Sequence, residues 1–295
     1  MLYTIEPEGM RREERAMMAA TGCASLTLME RAAEQVAAAV APYLREGGKL
    51  LVLCGTGNNG GDGLAAARIL MGRMPQLKTV LWRLAGNASP ETAEQWTRLT
   101  HFASRMTIVT LDDAAPSLPP GVMCAVDAMY GTGLNRPLSG AALNVARLLN
   151  GGACPVVAVD IPSGLCGVTG CVLGGDAGAA VHADVTVTFH RPKTGLFLAD
   201  GLDACGRVVV ADIGIPTTDA LHDGLMVLTR GDRLLPHRKR NTHKGDYGRL
   251  VMVTGSFGMA GAAALSALAA LRAGAGLVTV ARPPSIVPTV PAPCP

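Results

Sequence analysis

The sequence lacks the features that mark zinc-finger and secreted proteins. Its eight cysteines form no CxxC pair and no regular spacing, and two of them, Cys54 and Cys124, lie within apolar runs. This distribution is typical of free thiols in a reducing compartment. The N-terminal segment is polar and charged, whereas a secretory signal would be apolar there. We therefore expect a cytoplasmic protein.

Basic blocks and long apolar runs are also absent. The net charge is only +3 and no long stretch is basic, so nucleic acid is not an expected partner. The longest apolar run, 262–271, ends at Arg272 and is too short to cross a bilayer. The sequence therefore predicts a soluble protein without a membrane or nucleic-acid partner.

The chain does contain alternating strand-like and helix-like segments. With 295 residues, 49% of them hydrophobic, it can bury a large core. Strand-like runs cover 49–55, 79–84, 106–110, 123–131, 155–162, 184–189 and 207–214. Helical patterns cover 26–44, 63–73, 90–104 and 141–149. This alternation predicts a Rossmann-like, doubly wound α/β fold with a mostly parallel sheet, which binds ligands at the carboxyl ends of its strands.

The first strand runs into the turn GTGNNGGDG. Gly55, Gly57 and Gly60 match G-x-G-x-x-G, but the acidic residue that a dinucleotide site places after the second strand is missing. Asp62 also disfavours a simple phosphate site, because a carboxylate at a helix N-terminus competes with a bound anion. A turn closely approached by a ligand is one interpretation; helix capping by Asn58, Asn59 and Asp62 is the alternative.

Two further strand ends carry aspartates. Asp127 precedes a second glycine turn, and Asp160 precedes a proline and Ser163; each aspartate has the alternative role of a strand-end turn residue. Asn59, Asp127 and Ser163 offer only oxygen atoms, which suits one hard cation better than zinc or copper. Asp160 is then left to act on a substrate as an acid or base.

Four segments in this order, GTGNNGGDG, VDAMYGTGLNRPLSG, VVAVDIPSG and VTFHRPKTG, resemble the NAD(P)H-hydrate epimerase domain. The resemblance implies an isomerase that interconverts the R and S forms of hydrated NADH and NADPH in nicotinamide nucleotide repair. It implies one K⁺ per site, held by Asn59, Asp127 and Ser163, and a homo-oligomer. The substrate contacts it implies are Asn58, Asn59, Gly60, Gly61, Asp62, Gly131, Thr132, Gly133, Leu134, Asn135, Arg136, Pro137 and Asp160.

Asp160 is the predicted catalytic acid/base, and Asp160→Asn is expected to fold normally and to lose activity. Lys193, in HRPKTG, has two alternative roles: it reaches the substrate phosphates, or it is a solvated loop lysine. Two other functions compete with the epimerase. One is a nicotinamide-dependent dehydrogenase, against which Arg83 at the end of the second strand argues. The other is a non-catalytic nucleotide-binding protein.

The segment after Asn241 resembles the start of an ADP-dependent NAD(P)H-hydrate dehydratase, a lyase with a ribokinase-like fold. We expect an epimerase domain over 1–217, a linker over 218–240 and an incomplete dehydratase segment over 241–295, as in a shortened multifunctional enzyme. The last thirteen residues contain six prolines, which disfavour further strands and helices. ADP or ATP is expected only for a complete dehydratase domain, and dehydratase activity only in a full-length relative.

Overall fold

The computed structural model describes residues 2–111, 117–152, 154–216, 224–232 and 237–283. The chain forms two compact units, Met1–Arg230 and Gly231–Pro295. The predicted linker over 218–240 lies partly outside the described residues, and so does nearly all of the proline-rich C-terminal segment.

Eleven strands and seven α-helices make up the described structure. The strands are β1 (Leu2–Tyr3), β2 (Lys49–Cys54), β3 (Lys78–Leu84), β4 (Met106–Leu111), β5 (Val122–Ala128), β6 (Val156–Val159), β7 (Val185–Phe189), β8 (Arg207–Ala211), β9 (Met226–Val227), β10 (Arg249–Val253) and β11 (Leu277–Ala281). The helices are α1 (Pro7–Thr21), α2 (Ser25–Val40), α3 (Asn58–Arg73), α4 (Pro90–Leu99), α5 (Gly140–Asn150), α6 (Gly201–Ala204) and α7 (Ala260–Ala273).

The first unit is built on a seven-stranded sheet in the order β4-β3-β2-β5-β6-β7-β8. Every neighbouring pair in it is parallel. The predicted doubly wound fold is confirmed, and all seven predicted strands are present. The chain order reverses between β2 and β5, so the crevice beyond their carboxyl ends is the place where such sheets bind ligands.

Both faces of the sheet are covered by apolar side chains, which explains why its central strands are apolar at consecutive positions. On one face, Leu50 and Val52 of β2 belong to a buried cluster shared with α2 and α3. On the other face, Leu51 and Leu53 belong to a cluster shared with α5. The helices α2 and α3 therefore pack together on one face of the sheet.

The helices differ from the sequence prediction in several respects. Helix α3 begins at Asn58 and not at Gly63, because the NNGGDG segment forms its first turns and is not a loop. A 3-10 helix over Thr100–Arg105 follows α4. Helix α1 was not predicted at all, since its charged segment has no apolar run. Gly57 is the N-cap of α3, and no side chain caps that end, so helix capping does not explain Asn58, Asn59 and Asp62.

The second unit contains one strand–helix–strand motif within its described part. Strands β10 and β11 pair in parallel, and α7 connects them, as the sequence pattern indicated. Several of its large apolar side chains are exposed, among them Val253, Phe257 and Leu265. Over the described ranges of both units, no helix is long and apolar enough to cross a membrane.

Candidate functional site

A cavity of about 550 Å³ lies in the first unit at the point where the strand order reverses. Its walls come from α1, α2, the start of α3 and the loops after β2, β5 and β6. Most of the predicted substrate residues line this cavity, namely Asn58, Asn59, Asp62, Gly131, Thr132, Gly133, Leu134, Asn135, Arg136 and Asp160. The tertiary structure therefore brings three separate sequence segments to one site.

Three predicted substrate residues do not line the cavity. Gly60 and Gly61 are buried behind its wall, and Pro137 is exposed. Gly61 packs against helix α2, since a Cβ atom there would lie 2.5 Å from the Cε of Met29. These two glycines allow close packing, and the side chains on either side of them face the cavity.

The turn after β2 has glycines because two backbone segments approach it. A Cβ atom at Gly55 would lie 1.7 Å from the carbonyl oxygen of Met129, at the end of β5. At Gly60 a Cβ atom would lie 2.1 Å from the carbonyl oxygen of Gly55. Neither position has room for a side chain, and the close approach brings the β2 and β5 loops together around the cavity.

Asp127 and Ser163, two of the predicted cation ligands, are fully buried and bonded to each other beneath the cavity. The Ser163 hydroxyl donates to Asp127 Oδ1 over 2.6 Å, and the Ser163 N–H donates to Oδ2 over 2.8 Å. Burial raises the pKa of Asp127 to about 6, against hydrogen bonds from Ser163 and from the Met129 N–H that lower it. Among the described residues, no basic side chain pairs with this carboxylate.

Asn59, the third predicted ligand, reaches the same loop from α3. Its Oδ1 lies 3.1 Å from the position a Cβ atom would take at Gly131, two residues after Met129. Its buried Nδ2 has no hydrogen-bond partner in the described structure. The three residues therefore converge on the end of β5, as the sequence indicated.

Asp160 occupies a strained turn at the end of β6. Its φ is +67°, and the N–H of Ile161 donates to the carbonyl of Val159 over 2.8 Å. This i→i+2 hydrogen bond around a positive φ is the pattern of the rare, strained γ-turn. Strain of this kind is concentrated at functional sites, because the surrounding structure must maintain it.

The Asp160 carboxylate is paired with a buried lysine. Lys193 Nζ lies 2.5 Å from Asp160 Oδ1 and also donates to the carbonyl of Phe189 over 3.0 Å. The Thr188 hydroxyl donates to the same Oδ1 over 3.2 Å. Within the described residues Oδ2 has no hydrogen bond, so one carboxyl oxygen is anchored and the other is available to a ligand.

The burial of Lys193 excludes one of the two roles considered for it. Its side chain is 1% exposed, so the solvated loop lysine was the wrong alternative. Its ammonium group is engaged by Asp160 and by the carbonyl of Phe189. Lys193 instead places a positive charge against the predicted catalytic carboxylate.

A second strained turn, at the end of β7, anchors α1 beside the site. His190 has a φ of +62°, and its Nε2 lies 2.5 Å from Glu13 Oε2 in a nearly fully buried pair. Arg191 Nη1 lies 3.8 Å from Glu13 Oε1. In addition, Ile5 just before α1 pairs with Lys193 in an isolated parallel bridge. Helix α1 is thus joined to the loop that supplies Lys193.

Two further carboxyl groups face Asp160 and Lys193. Burial raises the pKa of Glu14, a half-buried residue of α1; Lys193 lowers it and Asp160 raises it. The pKa of Asp62 is raised well above its usual value, first by burial and then by the charges of Asp160 and Glu14. Three carboxyl groups therefore line the cavity beside one buried ammonium group, and the surroundings of Asp62 favour its protonated form.

Asp62→Asn is predicted to stabilise the protein at pH 7. The pKa of Asp62 is higher in the folded state than in the unfolded chain, where it is near 4. Its protonation therefore stabilises the folded state below about pH 4, and this stabilisation is lost as the pH rises toward the folded-state pKa. The neutral amide avoids that loss. We expect the melting temperature to rise by about 2–4 °C at pH 7, or ~1 kcal/mol in a domain of this size, and to change little at pH 4.

The control for this prediction is Asp203→Asn, which removes an exposed aspartate of α6. It should leave the melting temperature unchanged at both pH values. A melting temperature of Asp62→Asn that equals the wild-type value at pH 7 would contradict the proposed charge balance.

Sequence reasoning missed the contribution of α1 and α2 to the cavity. Glu14 and Met18 of α1, with Ser25, Leu28, Met29 and Ala32 of α2, form one of its walls. The support given by Glu13 and His190 was missed too. The only sequence signal for this wall was the pair of adjacent glutamates, Glu13 and Glu14, in a charged segment. Until the position of α1 is known, these two residues look like exposed residues of a solvated helix face.

Fold and site together define a doubly wound α/β protein with an acidic cavity at its topological switch point. Residues 25–195 match the family described as YjeF-related protein N-terminus. Because the match covers more than half of the chain, the protein belongs to this family. A crystal structure of yeast ynu0, YNL200c, has the same fold, with a TM-score of 0.58, 19% identity, and coverage of 77% of this chain and 100% of that chain.

Curated relatives are of two lengths. A protein of Limosilactobacillus fermentum named NAD(P)H-hydrate epimerase is 40% identical over 69% of this chain and 93% of its own. Proteins named bifunctional NAD(P)H-hydrate repair enzyme Nnr are 38% identical in Thermofilum pendens and 35% in Escherichia coli. These two matches cover 88% and 92% of this chain but 49% and 52% of the relatives. The chain thus spans about half the length of the bifunctional relatives.

Proposed function

We propose that the first unit is an NAD(P)H-hydrate epimerase, an isomerase that interconverts the R and S forms of hydrated NADH and NADPH. The observation that carries this proposal is Asp160, a strained strand-end carboxylate paired with buried Lys193 and open to the cavity at the switch point. The 40% identity to a protein named as such an epimerase, over nearly all of that protein, supports the same substrate.

The dehydrogenase alternative is not favoured. Strand β3 ends in Arg83 and Leu84, and no carboxylate stands there to hold a ribose as dinucleotide dehydrogenases require. Asp62, whose pKa is raised well above its usual value by burial, and the amide of Asn58 suit an uncharged, hydrated nicotinamide and its hydroxyl groups. The purely binding alternative is not favoured either, since a strained and charge-paired Asp160 serves no evident purpose in passive binding.

We further propose that Asn59, Asp127 and Ser163 hold one K⁺. Their donor set fits this ion: all the ligand atoms are oxygens, and the buried Asp127 carboxylate has no cationic partner among the described residues. A monovalent cation would balance a charge that is otherwise costly to bury. When bound, such an ion would orient the loop after β5 and the ligand beside it.

Asp160 is the proposed acid/base of the reaction. Lys193 and Thr188 fix its Oδ1, so the free Oδ2 can take a proton from, or return one to, oxygen at the hydroxyl-bearing carbon. The strained backbone keeps this oxygen in the cavity. General acid/base catalysis by a positioned carboxylate contributes about 10²–10⁴-fold.

The direct test is the rate of R/S interconversion with and without potassium. The purified R hydrate is supplied together with an excess of a separate S-specific dehydratase and ATP, and recovery of reduced nicotinamide is followed by its absorbance. We expect a rate well above the no-enzyme rate, raised by K⁺ and unchanged by EDTA. No rate above background would overturn the proposed function.

The cation proposal has its own control. In Asp127→Asn the side chain loses its charge with little change of shape. The increase in the interconversion rate caused by K⁺ should therefore fall at least tenfold while the protein remains folded. Complete loss of wild-type activity in EDTA, restored by Zn²⁺, would show that the oxygen site had been assigned to the wrong class of ion.

We also propose the division into domains, on the basis of the compact units and the length of the relatives. The boundary between the compact units, after Arg230, falls inside the proposed linker over 218–240. Residues 241–295 would then correspond to the beginning of the second half of the bifunctional relatives. ADP or ATP would bind only to that second half when it is complete. The cytoplasm remains the proposed compartment, on the ground of the cysteine spacing.

A further inference from the structure

We propose that Glu14 is a second catalytic carboxylate, which exchanges protons with the substrate from the α1 wall of the cavity while Asp160 does so from the sheet edge. The inference rests on the proposed epimerase function. Glu14 lies before the segment that matches the family, which begins at residue 25. Its assignment therefore comes from the structure of this chain.

The position of Glu14 is set by its neighbour. Glu13 is 7% exposed and is held by His190, 2.5 Å away. Successive residues of a helix point about 100° apart, so a buried contact at Glu13 turns Glu14 toward a different side of α1. That side is the cavity, which Glu14 lines together with Asp62 and Asp160.

The bonding of the two carboxyl groups differs. Asp160 is in direct ion-pair contact with Lys193 and accepts a hydrogen bond from Thr188. Glu14 has no such direct contact among the described residues, and it interacts over longer range with Lys193, Asp160, Asp62 and Arg11. Two carboxyl groups in unlike surroundings are the usual arrangement for one acid and one base.

Asp62 is less suited to this role. Burial raises the pKa of Asp62 well above its usual value, and the charges of both of the other carboxyl groups raise it further. We therefore assign Asp62 as a hydrogen-bond donor and Glu14, which lines the cavity without a direct ion-pair partner in the described structure, as the group that gives up its proton.

The two groups complete one inversion without any other reactant. The Glu14 carboxyl gives its proton to the substrate hydroxyl, and the carbon–oxygen bond breaks with its electron pair leaving on water. The ring nitrogen lone pair forms a carbon–nitrogen double bond. Water then adds to the other face of that carbon while Asp160 takes one of its protons. One proton has moved from Glu14 to Asp160; Asp160 releases it to solvent and Glu14 takes one up from solvent before the next turnover.

The test is Glu14→Gln, with Glu8→Gln as the matched control. Glu8 is an exposed glutamate of the same helix and does not line the cavity. In the coupled assay, after subtraction of the no-enzyme rate, we expect kcat of Glu14→Gln to fall about 10²-fold. KM should stay within about threefold, and the melting temperature should match that of the control.

A second variant, Glu14→Asp, keeps the carboxyl group and shortens its side chain by one methylene. Its kcat should be at least tenfold higher than that of Glu14→Gln, which a purely structural role would not predict. The inference is overturned if the wild type is active and Glu14→Gln turns over within twofold of Glu8→Gln. It is equally overturned if Glu14→Asp is no better than Glu14→Gln. An inactive wild type would instead refute the epimerase function itself.

Discussion

Replacing Asp160 with asparagine is expected to lower R/S interconversion by about 10²–10⁴-fold, the usual contribution of a positioned acid/base. The amide fills the same space but cannot take up or release the proton. Because Oδ2 is the carboxyl oxygen without a protein hydrogen bond in the described structure, the loss should appear in kcat with little change in KM.

The structure changes one part of the expectation drawn from the sequence. Normal folding of Asp160→Asn was predicted, but Lys193 is only 1% exposed on its side chain and pairs with Asp160. Removing one partner of a buried ion pair leaves an uncompensated charge, which typically costs about 3–5 kcal/mol. The single variant should therefore also be less stable than the wild type.

A double variant separates the chemistry from the stability. Asp160→Asn combined with Lys193→Met removes both charges, and buried pairs replaced by apolar groups are often neutral in stability. We expect its melting temperature to return close to the wild-type value while its activity stays low. Recovery of activity in the double variant, or near wild-type turnover of Asp160→Asn, would reduce Asp160 to a structural turn residue.

Gly55→Ala is expected to have a large effect on stability. The new methyl group would lie 1.7 Å from the carbonyl oxygen of Met129, so the ends of β2 and β5 must separate in the centre of the sheet. We expect the free energy of unfolding to fall by about 3 kcal/mol or more. The melting temperature should then fall by roughly 6–12 °C.

The matched control is Gly57→Ala, two residues along the same turn. Gly57 has an extended backbone, with φ −84° and ψ −178°, and a Cβ atom there meets nothing within 4 Å. Denaturation followed by tryptophan fluorescence reports on the first unit, because both tryptophans, Trp82 and Trp96, lie in it. Equal midpoints for the two variants would contradict the close approach of the two loops.

Much of the first unit could be predicted from the sequence because its signals are local. Strands buried on both faces are apolar at consecutive positions, so all seven strands of the sheet were recognisable, as was the crevice at the switch point. The aspartates at the ends of β5 and β6 stood out for the same reason, since a carboxylate at the end of an apolar strand requires a partner or a function.

The boundaries of the glycine turn were harder to predict. The segment NNGGDG reads as a loop because glycine and asparagine are poor helix formers. In the structure α3 begins at Asn58, since contacts of Gly60 and Gly61 with the neighbouring backbone and with α2 favour a helix there. Local propensity was overridden by tertiary packing, which a single sequence does not show.

The sequence by itself determined the parallel sheet and the edge at which the cavity lies, because each depends on residues within one strand and its following turn; the oxygen-only set of Asn59, Asp127 and Ser163 stays a prediction. Only the tertiary structure decided the partner of Asp160 and the cavity wall formed by α1 and α2. Lys193 lies 33 positions beyond Asp160 and Glu14 lies 146 positions before it. Contacts at such separations depend on how β6, β7 and α1 are packed. Until that packing is known, the sequence does not distinguish a buried charged residue from a solvated one.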